Sequence, residues 1–328
     1  LAMLERLSLE GKLQGIIDDV KKVQCLPDPL WVKLEETTLP SGLLLGKYSS
    51  PLGVLGVIYE SRPNVTVDVS ALAIKSGNAA LLRGGSETLE TNKVLGSVIR
   101  AALAASDLCS DAICLIDSTD RSHVLTMIQL DSHIDLVIPR GSAGLQKFCR
   151  EKSTIPVVTG GIGICHLFVE ASADLSRSLD VIENAKTQRP TVCNSLDTLL
   201  VDAKIAKEFI PQVVTRLCQK NVVFQMDSRA FSLVDHPSCK KACERDFDTE
   251  WLNLTLGIKV VDGLDEAILH IHQHSTKHSD GILTEDSSLA DRFVKLVDSA
   301  ALYVNASTRF TDGSEFGLGS EVAVSTQK

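Results

Sequence analysis

Short apolar runs alternate with amphipathic stretches along most of the chain. Residues 53–60 form an almost continuous apolar run, and residues 79–83 form a second one. Runs of this length predict buried strands. After a glycine-rich turn, apolar residues recur at helical spacing between 95 and 102. The order strand, turn, helix and strand predicts a parallel sheet with helices on both faces.

The same alternation continues towards the end of the chain. It predicts further strands at 112–116, 134–138, 165–170, 196–201, 258–261, 282–284 and 302–305, and helices at 121–130, 142–152, 174–186, 203–219, 265–274 and 287–297. The stretch 229–250 is polar and irregular, which predicts an insertion or a flexible loop.

Three glycines within four residues, Gly160, Gly161 and Gly163, interrupt this pattern and predict a domain boundary. We expect a first α/β domain over residues 1–159 and a second one over residues 160–303. Residues 304–328 are expected to return towards the first domain and an oligomerisation region. Because the chain starts at Leu1 and stops in a glycine-rich stretch, we expect both ends to continue in the natural protein.

The composition is that of a globular protein with a sizeable core. The chain has 328 residues, of which 44% are hydrophobic and 23% are charged. It has 33 Lys and Arg residues against 42 Asp and Glu residues, a net charge of −9. This balance argues against nonspecific nucleic-acid binding. No apolar run reaches about 18 residues, so we expect no membrane span.

The nine cysteines are odd in number and irregular in spacing, which favours free thiols and a cytoplasmic location. Cys239 and Cys243 have no second Cys or His pair at zinc-like spacing, so we predict no metal there. Four histidines lie within nine residues, and His270 and His274 are four apart on a predicted helix. No third ligand stands at matching spacing, so this cluster also predicts no metal.

Two turns between a strand and a helix combine an arginine with glycine. They are Arg83-Gly84-Gly85-Ser86 and Arg140-Gly141-Ser142. Backbone N–H groups at a helix start and a nearby guanidinium suit a phosphate. Each turn alone is more typical of a capped strand–helix connection. Two such turns in neighbouring units favour a dinucleotide, which carries a pyrophosphate and sometimes a third phosphate.

One cysteine lies on a loop between a helix and a strand, in the segment Gln188-Arg189-Pro190-Thr191-Val192-Cys193-Asn194. A positive charge such as Arg189 favours the thiolate form of a nearby thiol. A thiolate can attack an acyl carbon and form a thioester. On spacing alone, a buried structural cysteine remains the commoner alternative for Cys193.

Seven stretches together resemble the gamma-glutamyl phosphate reductase family, also called glutamate-5-semialdehyde dehydrogenases, within the aldehyde dehydrogenase superfamily. They are residues 51–66, 76–85, 138–141, 154–163, 184–194, 261–282 and 304–313, and they extend over essentially the whole chain. The resemblance implies an aldehyde-dehydrogenase-like α/β fold with a Rossmann-type cofactor domain and a second, catalytic α/β domain. It also implies NADPH-dependent reduction of L-glutamyl 5-phosphate to glutamate 5-semialdehyde, the second step of proline biosynthesis from glutamate.

The resemblance implies that Cys193 is the nucleophile and that its own backbone N–H stabilises the oxyanion. The superfamily also uses an asparagine after the first strand, for which we favour Asn64, although strict counting gives Arg62. Arg62 and Arg189 are then expected to bind anionic groups of the substrate, with a structural ion pair as the alternative for Arg62. Val158 stands 35 residues ahead of Cys193, where oxidising relatives carry a water-activating glutamate. We therefore expect the thioester to resist hydrolysis.

The resemblance also assigns cofactor and substrate contacts. Ser86 stands where NAD-preferring relatives often carry an acid, so a 2′-phosphate can approach Arg83 and NADPH is favoured, although Glu87 is close by. Glu250 is expected at the nicotinamide ribose. His278, Ser279 and Asp280 are expected at the substrate ammonium, and Ser307, Thr308 and Arg309 at an anionic end. A strand-end cap is the alternative for Ser307 and Thr308.

The expected partners are the small-molecule substrate, a glutamate 5-kinase that supplies it, and further copies of the chain in a dimer or tetramer. Three other functions remain open at this point. The chain could be an oxidising or CoA-acylating aldehyde dehydrogenase, which Val158 disfavours. It could be a thiol hydrolase that pairs Cys193 with His166 or His278. It could also be a non-catalytic nucleotide-binding protein.

Overall fold

The computed structural model describes residues 9–60, 62–160, 162–313, 315–317 and 321–327. Its contacts divide the chain into two compact units, Leu1–Gly160 with Gly317–Ala323, and Gly161–Phe316 with Val324–Lys328. The division falls at the glycine cluster, of which Gly161 lies outside the described residues. The cofactor and catalytic roles assigned to the two domains stay predictions.

The first unit is built on a four-stranded parallel sheet in the order β5-β4-β3-β6. Its strands are β3 (Val54–Tyr59), β4 (Ala79–Arg83), β5 (Ile113–Leu115) and β6 (Leu136–Arg140), and its helices are α1 (Leu13–Cys25), α2 (Asn64–Lys75), α3 (Leu89–Ala105), α4 (Ser122–Met127) and α5 (Ala143–Lys152). Successive residues of β3 pack into different core clusters on the two faces of the sheet, Val57 into one and Ile58 into the other. Burial on both faces explains why this strand is a continuous apolar run.

The first unit also contains a hairpin that the sequence pattern did not predict. Its strands are β1 (Lys33–Thr38) and β2 (Leu44–Tyr48), which pair in antiparallel orientation. Every residue of both strands is exposed, so neither strand shows the alternation of a half-buried sheet.

The second unit contains a seven-stranded parallel sheet in the order β10-β9-β11-β8-β7-β12-β13. Its strands are β7 (Cys165–Val169), β8 (Leu196–Asp202), β9 (Val223–Met226), β10 (Cys239–Lys241), β11 (Thr255–Val261), β12 (Ser279–Leu283) and β13 (Ala301–Val304), and its helices are α6 (Leu175–Thr187), α7 (Ala203–Cys218), α8 (Ser228–Phe231), α9 (Leu264–His274) and α10 (Ser287–Leu296). Leu167 and Phe168 of β7 point to opposite core clusters, so helices cover both faces.

Of the two alternatives predicted for 229–250, an insertion or a flexible loop, the flexible loop was wrong. This stretch contains most of α8, the edge strand β10 and a 3₁₀ turn over Glu244–Asp248. Strand β10 has only three residues, and two of them are exposed, so no apolar period marks it. The predicted helix at 121–130 is shorter in the structure, where α4 spans six residues.

None of the helices described here combines the length and the apolar character needed to cross a membrane.

Candidate active site

Cys193 is an exposed thiol on the connection between α6 and β8. It lies at the amino-terminal edge of the large sheet, where residues preceding the neighbouring parallel strands converge. Gly163, ahead of β7, packs directly against it, because a Cβ at Gly163 would overlap the carbonyl of Cys193 and lie 3.0 Å from its Cα. The thiol of buried Cys165 donates to the same carbonyl at 3.2 Å. Gly163 and Cys165 therefore hold the backbone of Cys193 in place, while its side chain is exposed.

A segment after β13 holds the residue next to Cys193. The Thr308 hydroxyl donates to the Asn194 carbonyl at 2.7 Å, and the Asn194 amide donates to the Thr311 carbonyl at 2.9 Å. The Arg309 guanidinium donates to the Asn194 side chain and to Gln188. The structure thus brings Cys193 together with the predicted residues Thr308 and Arg309.

The Arg309 guanidinium interacts electrostatically with the Cys193 thiol and with Arg189. Burial lowers the pKa of Arg309, and the like charge of Arg189 lowers it further. Asp312 and the thiols of Cys193 and Cys165 act in the opposite direction. A cation that interacts with an exposed thiol favours the thiolate and also an anionic substrate group, and Arg189 adds to the positive charge around Arg309.

Ser307 caps the start of a 3₁₀ turn and not a strand end, since its side chain accepts from the Arg309 N–H. Ser279 is fully buried, and its hydroxyl contacts Thr311 at 2.6 Å and His278 at 2.8 Å. Ser279 therefore belongs to the same contact network as Asn194. Direct substrate contact for Ser307, Thr308, Ser279 and His278 stays a prediction.

Asp280 is buried with a full set of protein donors. Its carboxylate accepts from Ser275 at 2.6 Å, from Ser299 at 2.5 Å and from the backbone N–H of His166 at 2.9 Å. This geometry argues against the predicted contact with the substrate ammonium. His166 directs its Nδ1 to Asp280 and to the carbonyl of Ile164, so its Nδ1 is not directed to Cys193 as a hydrolase base would be.

Glu250 lies at the same edge of the sheet. Its carboxylate accepts from the N–H of Gly163 at 2.9 Å. Burial raises the pKa of Glu250, and this hydrogen bond lowers it. Glu250 is thus one residue removed from Cys193 through Gly163, and its contact with a ribose stays a prediction.

The first unit carries the remaining predicted residues in separate groups. In the turn after β4, Arg83, Gly84 and Gly85 are buried and Ser86 is exposed. Arg83 is only 8% exposed, its Nη2 donates weakly to the carbonyl of Thr119, and its Nε has no hydrogen-bond partner. A buried guanidinium with an unsatisfied N–H fits an anion.

The turn Arg140-Gly141-Ser142 differs from the expectation that its donors are free. The carboxylate of Glu60 accepts the backbone N–H of Ser142 at 2.8 Å, at the amino end of α5. A Cβ at Gly141 would lie 2.7 Å from the same carboxyl carbon, so any larger residue at this position would displace the Glu60 carboxylate. An internal carboxylate thus takes the place at this helix start that we predicted for a phosphate.

Arg62 and Asn64 lie at the start of α2. Arg62 is exposed, whereas Asn64 is half-buried and donates from Nδ2 to Asp68 at 2.9 Å. An amide nitrogen carries two N–H groups, so this bond leaves Asn64 a second donor. The oxyanion role of Asn64 and the anion-binding role of Arg62 stay predictions.

In the histidine cluster, the buried ring of His270 packs against the rings of His166 and His274. His270 lies 5.4 Å from His166 and 4.3 Å from His274, measured between ring centroids. The Lys259 ammonium stands 3.3 Å from His270 Nδ1. Within the described ranges, no group of three or more His, Cys, Asp or Glu side chains is arranged to hold a metal.

We expect acid to destabilise the protein through His270. Burial is the main cause that lowers the pKa of His270 to about 2, and His166, His274 and Lys259 add to it. The unfolded chain binds this proton below about pH 6.5 and the folded one does not, so the free energy of unfolding falls by about 1.4 kcal/mol per pH unit below that value. Denaturant unfolding at pH 7.5 to 4.5 measures this slope.

The matched variants are His270→Gln and His272→Gln, which lie two residues apart on α9, one buried and one exposed. Removing the buried imidazole should flatten the pH dependence, and the variant at the exposed position shows how much a substitution on the same helix changes stability by itself. Equal slopes for the parent and His270→Gln would contradict this account.

The structure also reveals residues that the sequence analysis did not select, namely Glu60, Gly163, Cys165, Asn194 and Thr311. Glu60, Gly163, Asn194 and Thr311 lie inside the seven stretches that carry the resemblance, and Cys165 lies just outside them. Nothing in their spacing distinguishes a contact with Cys193 or Ser142 from ordinary packing. Only Gly163 carried a signal, as part of the glycine cluster.

Comparison with known proteins gives matches that extend over the whole of this chain. The chain is 52% identical over 330 residues to a gamma-glutamyl phosphate reductase of Photobacterium profundum, with 100% of this chain and 79% of that protein covered. It is likewise 52% identical over 330 residues to the protein of that name from Escherichia coli, again covering 79% of it. No protein-family model matches the chain.

Solved structures agree. A gamma-glutamyl phosphate reductase from Thermotoga maritima superposes with a TM-score of 0.95 at 46% identity, over 100% of this chain and 79% of that one. An acetylating aldehyde dehydrogenase from Geobacillus thermoglucosidasius gives a TM-score of 0.67 at 18% identity, over 90% of this chain and 73% of that one, which shows the fold alone. The predicted aldehyde-dehydrogenase-like α/β fold is confirmed.

Proposed function

The chain belongs to the gamma-glutamyl phosphate reductase family of proline biosynthesis, and from this premise we propose that Cys193 carries the reduction as a covalent nucleophile with NADPH as the reductant. The observation that supports it most is the exposed Cys193 thiol, which interacts with the Arg309 guanidinium, itself close to the charge of Arg189. A thiolate is the reactive form of cysteine, and these cations favour it.

The first step is acyl transfer to the protein. The Cys193 thiolate attacks the γ-carbonyl carbon of L-glutamyl 5-phosphate, the bond from that carbon to the phosphate oxygen breaks, and inorganic phosphate leaves with the electron pair. A γ-glutamyl thioester remains on Cys193. Arg189 and Arg309 neutralise the departing phosphate, the role of positive groups at such sites. The backbone N–H of Cys193 stabilises the tetrahedral oxyanion.

The second step is reduction of the thioester. NADPH, when bound, supplies the hydride to the thioester carbon. Cys193 then holds a thiohemiacetal, whose carbon–sulfur bond breaks to release glutamate 5-semialdehyde and return the thiolate. Val158 offers no carboxylate where oxidising relatives carry their base, so the thioester persists until it is reduced or attacked by phosphate.

The first unit supplies a subsite that binds an anionic group of the cofactor. Arg83 presents a buried Nε without a hydrogen-bond partner, and it fits a phosphate on the adenosine ribose. Gly84 and Gly85 keep the turn narrow, since a Cβ at Gly84 would meet the amide of Asn92 and one at Gly85 would meet the Glu87 carboxylate. Glu250 receives the nicotinamide ribose. In this proposal the turn before α5 contributes through Arg140, because Glu60 already binds Ser142.

Arg83→Gln should raise the KM for NADPH by about tenfold to a hundredfold, the value of about 1.5–3 kcal/mol for a charged hydrogen bond. The KM for NADH should change far less, because NADH has no 2′-phosphate. Arg150→Gln, an exposed arginine on α5 of the same unit, is the matched control and should change neither KM. An equal loss with both cofactors would overturn the assignment of Arg83.

The reverse reaction tests the proposed function as a whole. Purified protein should reduce NADP with glutamate 5-semialdehyde in repeated turnovers only when inorganic phosphate is present, and it should be inactive with simple aliphatic aldehydes. Phosphate-independent oxidation would indicate a hydrolysing aldehyde dehydrogenase, and a requirement for coenzyme A would indicate an acylating one.

The proposal extends to partners and location. An acyl phosphate hydrolyses readily, so a glutamate 5-kinase that forms it is the expected source, and we retain the expectation of a dimer or tetramer in the cytoplasm. Light scattering on a gel-filtration peak tests the oligomer, and a monomeric mass would exclude it.

A further inference from the structure

Lys186 is a charged side chain placed at the core of the second unit. It stands at the end of α6, has no exposed surface, and follows the buried face of the helix marked by Ile182 and Ala185. Its ammonium donates to the backbone carbonyl of Leu196 at 2.8 Å and lies 3.7 Å from Asp197. These contacts join the last turn of α6 to the first residues of β8.

The residues joined by Lys186 are the two ends of the connection that carries Cys193. This connection runs over 188–195, between α6 and β8. One buried hydrogen bond therefore closes the base of the loop, with the thiol at its exposed side. Loop closure by a fixed contact reduces the conformations open to the loop.

A second set of contacts continues from Asp197 back to Cys193. The Asp197 carboxylate accepts the backbone N–H of Trp251 at 3.1 Å. The neighbouring residue Glu250 accepts the N–H of Gly163 at 2.9 Å, and Gly163 packs on the carbonyl of Cys193. The chain of contacts thus forms a closed ring beneath the nucleophile.

Stability alone does not account for this pair. Burying an ammonium and a carboxylate costs desolvation free energy, and an apolar pair of similar volume is often as stable. Burial lowers the pKa of Lys186 and raises that of Asp197, and each charge opposes the effect on the other. A directional N–H···O bond fixes the loop in a way that an apolar contact does not.

We propose that Lys186 is a positioning residue that clasps the Cys193 loop at Leu196 and holds the thiol close to the Arg309 guanidinium. The catalytic consequence rests on the proposed function of Cys193, whereas the clasp itself does not. Loss of the clasp lets the thiol move away from this cation, which lowers its thiolate fraction at neutral pH.

The decisive variant is Lys186→Met, which keeps the length and removes the donor. We expect kcat to fall about 10²-fold, the scale of a displacement of about 1 Å at a reacting group, with the KM for NADPH within about twofold of the parent. Alkylation of Cys193 by iodoacetamide, read by peptide mass spectrometry across pH, should show its midpoint at higher pH.

Two companion variants separate the clasp from the fold. Asp197→Asn retains an oxygen for the Trp251 N–H and leaves the Lys186 nitrogen to donate to Leu196, so the alkylation midpoint should stay close to the parent's. Lys186→Met alone leaves the Asp197 carboxyl buried among Glu250 and Cys165. The double variant, Lys186→Met with Asp197→Asn, removes that charge. It should therefore recover thermal stability, while the alkylation midpoint of Cys193 stays shifted and kcat stays low.

Glu170→Gln is the matched control, because Glu170 is a buried carboxylate at the opposite edge of the same sheet, bonded to Ser172 and Thr284. It should lose stability without moving the alkylation midpoint. An unchanged midpoint in Lys186→Met, or recovery of the midpoint in the double variant, would overturn the clasp. A shifted midpoint in a protein whose Cys193→Ser variant stays active would instead support the clasp and reject the nucleophile.

Discussion

Cys193→Ser should reduce turnover by at least about 10⁴-fold, because a serine hydroxyl is almost fully protonated at neutral pH and the loop provides it with no general base. The variant should retain the fold and the affinity for NADPH, since the thiol side chain is exposed. Phosphate-dependent reduction of NADP by glutamate 5-semialdehyde measures the activity, and fluorescence quenching measures cofactor binding.

Cys243→Ser is the control for this result, because Cys243 is also an exposed cysteine of the same unit. It should keep the activity of the parent. Retention of more than about a tenth of the activity by Cys193→Ser would contradict covalent catalysis through this residue.

Gly163→Ala should have the second largest effect. The added methyl group would overlap the backbone of Cys193, and backbone atoms cannot rotate away as a flexible side chain does. The loop of Cys193 or the segment ahead of β7 must shift, which should cost about 1–3 kcal/mol of stability. Displacement of the thiol should lower kcat by about 10²-fold or more.

Gly96→Ala provides the comparison. Gly96 lies inside α3, where the nearest atoms to a new Cβ stand 3.9 Å away on Leu115. This substitution should stabilise the protein by about 0.5–1 kcal/mol, because alanine loses less backbone entropy in a helix. Thermal unfolding and steady-state kinetics of both variants test the pair, and a fully active Gly163→Ala protein would contradict the described packing.

The sequence pattern predicted the buried parallel strands well, for a physical reason. Strands such as β3, β7 and β8 are covered by helices on both faces, so they appear as short apolar runs. The exposed hairpin β1–β2 and the short edge strand β10 escaped because their residues are not selected for burial. Hydrophobic periodicity reflects which residues are buried, and few residues of these elements are buried.

The site was predictable to a different extent. The motif around Cys193 identified the nucleophile candidate and the family, and the structure places that thiol at the surface. The partners of Asp280 and Ser142 were not predictable, because Ser299 and Glu60 reach them only through the tertiary fold. Lys186 carried a visible signal, a lysine on the buried face of an amphipathic helix, but only the structure shows that it binds Leu196.

The thioester on Cys193 is the central claim, and mass spectrometry of a stalled reaction tests it most directly. The protein is mixed with glutamate 5-semialdehyde and NADP in the absence of phosphate, so that hydride transfer can occur but release cannot. We predict a burst of one NADPH per active site and one hydroxylamine-labile glutamyl group on the peptide that contains Cys193. A burst without an adduct, or an adduct on any other residue, would contradict the account.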